Sequence, residues 1–139
     1  MKPPYRQQRI LLVLTLVLFT GVGSAGATGN RQVASLKVSV PASMARGSVL
    51  KVTARGYSGR FDAVSWSSVK GGSSVCASPN TSAISIQAVP RNRKFNVKFT
   101  NIFGAPGTLT VCVYLFTSGP HANDTKGHYI VKSKRVKVS

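Results

Sequence analysis

The sequence predicts an all-β fold, an antiparallel sandwich of about seven strands. Three observations carry that expectation. Apolar and polar residues alternate repeatedly from residue 35 to the end, with no helical period of useful length. Clusters of Pro, Gly, Asn and Ser separate the alternating runs. Two cysteines, far apart in sequence, offer a cross-link to a chain that reads as exported.

The elements follow in chain order. Residues 1–27 read as a signal peptide. Lys2, Arg6 and Arg9 precede "ILLVLTLVLF", an apolar run too short for a comfortable membrane span, and Ala25-Gly26-Ala27 supplies a cleavage site. An uncleaved anchor is the alternative reading. Residues 28–139 are then one domain. "SLKVSV" sets Leu36, Val38 and Val40 against Lys37 and Ser39. "LKVTAR" sets Leu50, Val52 and Ala54 against Lys51, Thr53 and Arg55. "AVSWSS" is expected to bury Val64 and Trp66, and "AISIQA" to bury Ile84 and Ile86. "KFNVKFT" points Phe95, Val97 and Phe99 away from Lys94, Asn96 and Lys98. "LTVCVYLF" is apolar on both faces, the pattern of a central strand. The last strand, residues 129–138, changes parity between Tyr129 and Val131 and Val136 and Val138, which predicts a bulge near Lys132–Lys134.

Cys76 and Cys112 are expected to pair, because an exported chain meets an oxidising compartment. In the chain-entropy model, closing a loop of about 37 residues stabilises by roughly 3.8 kcal/mol. Seven strands in about 100 residues, with one disulfide, predict an immunoglobulin-like sandwich. "LKVSVPASMARGSVLKVTARGYSG" and "GTLTVCVYLF" resemble the opening and the penultimate strand of bacterial Ig-like secreted domains, over about residues 33–139. That resemblance implies an architecture and an extracellular setting, with no specific ligand. The chain departs from the antibody pattern in that Trp66 precedes Cys76, and Thr110 rather than tyrosine lies two residues before Cys112.

The residues that catalysis needs are scarce. A carboxylate pair would have to use Asp62 and Asp124, which lie on different segments. "HANDTKGH" holds His121, Asp124 and His128, yet neither a G-x-S-x-G nor an H-E-x-x-H pattern accompanies them. The expectation is a non-enzymatic chain without metal or cofactor.

Charge is the distinctive feature. Of 19 basic residues, removing Lys2, Arg6 and Arg9 leaves 16 against two acids, so 16 − 2 = +14 for the mature chain. An ordinary solvated surface mixes both signs. This imbalance favours polyanions. The candidate contact residues are Arg55 and Arg60, which alternate with the aromatic residues Tyr57 and Phe61, then Arg91, Arg93 and Lys94, and finally Lys132, Lys134 and Arg135. The expected partner is an anionic cell-wall polymer or membrane surface. A protein partner, with the charge serving solubility, is the alternative. Extracellular nucleic acid comes third, since no nucleic-acid motif is present.

Overall fold

In the computed structural model, residues 31–71, 75–79, 83–118 and 128–139 are described. The segment read as a signal peptide, residues 1–27, lies outside the described residues, as do His121 and Asp124; His128 is exposed beside the last strand. Among the described residues there are eight strands and no helix: β1 (Ser35–Ser39), β2 (Ser43–Met44), β3 (Val49–Tyr57), β4 (Ala63–Lys70), β5 (Ser85–Ala88), β6 (Lys94–Ile102), β7 (Gly107–Phe116) and β8 (Tyr129–Val138). They form two sheets, ordered β1-β3-β6 and β2-β8-β7-β4-β5. This is an immunoglobulin-like sandwich. All pairings are antiparallel except that of β2, which runs parallel to the end of β8. The short strand β2 lies in a stretch whose composition reads as turn.

Alternation supplies the core between the sheets. Leu36, Leu50, Val52, Phe95, Val97 and Phe99 face Val64, Trp66, Val111, Val113, Leu115 and Val136. Trp66 is fully buried, with the Phe99 and Phe103 rings 6.2 and 6.4 Å away between centroids. The two-sided apolar strand, β7, is central in its sheet, between β8 and β4. Its other face, with Cys112, Tyr114 and Phe116, forms a second apolar cluster with Ala63, partly covered by Cys76 and Tyr129. Cys76 and Cys112 are disulfide-bonded, with Cα atoms 5.8 Å apart. The bond ties the β4–β5 connection to the outside of the five-stranded sheet.

Two expectations fail. Ile84 and Ile86 are 43% and 55% exposed. β5 is the outermost strand of the wider sheet and all four of its residues are exposed, so its alternation marks a strand without marking a covered face. Nor does β8 bulge. It pairs with β7 in unbroken register from Val138 opposite Gly107 to Tyr129 opposite Phe116. Tyr129 and Val131 lie on the outer face, where Tyr129 meets Tyr114 edge to face at 5.9 Å. Ile130, Val136 and Val138 lie on the inner face. Both faces hold apolar clusters, so the change of parity needs no inserted residue.

Candidate polyanion-binding face

The outer face of the three-stranded sheet gathers five cations from three strands. Lys37 comes from β1, Lys51 and Arg55 from β3, and Lys94 and Lys98 from β6. Lys37 stands directly opposite Arg55, and Arg55 stands opposite Asn96. Lys94 and Lys98 are therefore the diagonal neighbours of Arg55, at roughly 7–8 Å, while Lys37 is about 5 Å away at the Cβ level. None of the three strands carries an acid. Like charges directly opposite each other destabilise a sheet. This face therefore sets like charges beside one another with no acid on its own three strands to neutralise them.

The surface continues around the open side of the sandwich. Among the described residues, β8 has no strand partner on its free edge before Lys137, because β2 pairs only with Lys137 and Val138. A cleft of about 620 Å³ opens there, lined by Lys37 and Arg55 from one sheet and Lys132 and Lys134 from the other. The unbroken register gives Lys132 and Lys134 the inward parity of Ile130 and Val136. They remain exposed because the core ends at this seam.

The structure separates the sequence-predicted candidates. Arg55 and Lys94 join the sheet face; Lys132 and Lys134 line the adjoining cleft. Arg135 pairs with Thr110 on the opposite face of its sheet and belongs to neither. Arg60 stacks its guanidinium over the Phe61 ring at 5.2 Å, and Phe61 is buried, so that ring is not open for stacking on a ligand. Tyr57 is half-buried at the end of the basic face. Arg91 donates from Nη2 to Asp62 Oδ2 at 2.7 Å, which commits it to a structural ion pair. Arg93 sits in the β5–β6 turn, where buried Ser58 holds the chain. The Ser58 hydroxyl donates to the Pro90 carbonyl at 2.6 Å and accepts from the Arg93 N–H at 3.1 Å. Asn92 takes a positive φ of 54° there, a conformation asparagine tolerates better than most residues.

Lys37, Lys51 and Lys98 read in sequence as ordinary solvated positions, each polar in its own strand. Their signal was parity combined with the β1-β3-β6 pairing, and only the pairing brings them together.

Asp62 organises one end of the molecule. Besides Arg91, it accepts from the Ser118 N–H at 2.8 Å and from the Ser118 hydroxyl at 3.0 Å. Burial pushes its carboxyl up, but the Ser118 amide, the Arg91 guanidinium and the Ser118 hydroxyl outweigh that and hold it below the usual value. A lowered folded-state pKa stabilises the fold above the unfolded value of about 4, and that stabilisation disappears as pH falls through the folded value. Asp62→Asn is therefore expected to lose about 1 kcal/mol at pH 7, a figure kept low because the Arg91 side chain is largely exposed. Urea unfolding at pH 7, 5 and 3 should show the two proteins converging only at the lowest pH. A constant difference across the series would contradict this account.

Among the described residues, no group of three His, Cys, Asp or Glu side chains is placed to hold a metal ion. No helix among them is long and apolar enough to cross a membrane. No protein-family model and no curated protein matches this chain. Among solved structures, the chain is similar to the sulfur carrier protein SoxY from Chlorobium limicola f thiosulfatophilum, with a TM-score of 0.47 and 16% identity over 75% of this chain and 78% of that one. It is also similar to the superoxide reductase (neelaredoxin) from Ignicoccus hospitalis, with a TM-score of 0.49 and 14% identity over 83% of this chain and 89% of that one. Likenesses at this level carry no argument about chemistry.

Proposed function

We propose that this is a non-enzymatic, secreted module that adheres to anionic polymers or membrane surfaces of the cell envelope through the outer face of its three-stranded sheet. One observation carries the reading. Lys37 and Arg55 stand directly opposite each other, with Lys94 and Lys98 on the diagonals and no acid on any of the three strands. A bound polyanion would relieve the repulsion that this arrangement imposes on the fold. The disulfide is compatible with an oxidising, extracellular setting.

The test compares two variants of equal charge loss. One replaces Lys37, Lys51, Arg55, Lys94 and Lys98 with Gln; the other replaces Arg31, Arg46, Lys70, Arg135 and Lys137. Retention on isolated envelopes is measured across a salt series. The first variant should bind more weakly and with a flatter salt dependence, by about 0.9 in log–log slope per contact for a polymer of DNA-like charge density. It should also be slightly more stable than wild type, since a repulsive cross-strand pair is gone. The second variant should stay nearer to wild type. Equal curves for both variants would assign the attraction to net charge alone. Retention that resists roughly 0.5 M salt, where screening acts within about 4 Å, would favour a protein partner instead.

A further inference from the structure

The basic face is not uniform. At the end nearest the β3–β4 turn lies a shallow groove of about 370 Å³, lined by Gln32, Ser35, Lys37, Arg55, Tyr57, Lys94 and Asn96, among others. Cross-strand pairing explains the lining. Ser35 faces Tyr57 and Tyr57 faces Lys94 in one row; Lys37, Arg55 and Asn96 make the next. The row holding Tyr57 is fixed by more than the ladder, because the Ser35 hydroxyl accepts from the Tyr57 N–H at 3.3 Å.

We infer that this groove is a subsite for one sugar ring of an anionic glycan, a polymer whose rings carry carboxylate or phosphate groups. The inference rests on the polyanion reading above and narrows it. A simple chain of phosphates would need only the cations. The groove adds an aromatic ring beside them, together with the hydroxyl of Ser35 and the amides of Gln32 and Asn96. An aromatic face receives the C–H face of a pyranose, since its negative quadrupole attracts the slightly positive hydrogens. Hydroxyl and amide groups match the ring's hydroxyls as donors and acceptors. Lys37, Arg55 and Lys94 match its charge. Single-stranded nucleic acid fits less well, because such surfaces hold successive bases on several aromatic side chains. Tyr57 is the one aromatic residue with outward parity on these three strands; Phe95 and Phe99 point into the core.

The test uses the disulfide-bonded protein at one fixed ionic strength and three polyanions: polygalacturonate, inorganic polyphosphate and oligothymidylate. Titration calorimetry is run on wild type, Tyr57→Ala, Tyr57→Phe and the double variant Lys37→Gln with Arg55→Gln. Tyr57→Ala should weaken polygalacturonate binding about tenfold, the scale of one aromatic stack, and leave polyphosphate binding within about twofold. Tyr57→Phe should retain polygalacturonate binding, and the retained polyphosphate binding of Tyr57→Ala excludes a loss through misfolding. The double variant should weaken all three polymers. If Tyr57→Ala leaves polygalacturonate binding unchanged, or weakens polyphosphate equally, the sugar subsite is wrong while the charged face stands. A loss confined to oligothymidylate would assign the ring to a base and overturn the proposal. If the double variant alters nothing, the polyanion reading beneath it fails as well.

Discussion

Replacing Gly56 with alanine is expected to cost about 3 kcal/mol, because it forces β1 away from β3. Gly56 pairs with Leu36 in the β1–β3 ladder. A Cβ at this position would fall on the carbonyl oxygen of Ser35, a backbone atom that no rotamer change can move aside. Overpacking in a tight site costs about 1–3 kcal/mol. The upper end applies here because the obstacle is main chain, and relief requires breaking ladder hydrogen bonds. The effect reaches the basic face. Lys37 sits one residue beyond Leu36, so moving β1 separates Lys37 from Arg55 and opens the groove beside Tyr57. Thermal or urea unfolding measures the stability loss, and retention on isolated envelopes by the surviving folded fraction measures the effect on the proposed adhesion. A Gly56→Ala protein with wild-type stability would show that β1 can shift without cost.

Loss of the cross-link is the second large effect. Cys76→Ser with Cys112→Ser should lower stability by about 2–4 kcal/mol. The two cysteines are 36 residues apart, and the closed loop contains β5 and β6 as well as most of β7. The bond does not join the two sheets. It fastens the chain at Cys76 against the apolar outer cluster of Cys112, Tyr114 and Phe116. The double variant should therefore also expose that cluster and bind a hydrophobic dye that wild type does not. Peptide mapping of the purified protein that found both thiols free would remove the basis of this prediction, and unchanged unfolding would contradict it.

Much of the sandwich was legible because apolar period is written locally. Leu50, Val52 and Ala54 need no partner to be recognised as one face, and the two-sided run of β7 identifies a central strand by itself. Pairing is not local, and the candidate site depended on pairing. "RNRK" and "KSKR" are the densest basic runs, yet neighbours on a strand point to opposite faces, so Lys134 and Arg135 part company. Arg91 is lost to Asp62, 29 residues away, a partnership that no local pattern signals. The reverse holds for Lys37, Arg55 and Lys98. They are sparse in sequence and adjacent in space. Alternation also misled at Ile84 and Ile86, since it records a strand's period and says nothing about whether another layer covers it.

The lysines of β8 have a consequence for the fidelity of folding. "YIVKSKRVKVS" is repetitive enough to invite slippage against β7, and a slipped strand would keep most of its ladder hydrogen bonds. Every short slip is penalised. Moving β8 by one residue in either direction brings Arg135 or Lys137 to the fully buried place of Val136. Moving it by two brings Lys134 there, or else brings Lys132 to the partly buried place of Ile130. An unpaired cation in such a place costs several kcal/mol. Cations on both faces of the strand thus proofread its alignment, and in a chain so short of acids no misplaced lysine finds a carboxylate to excuse the error.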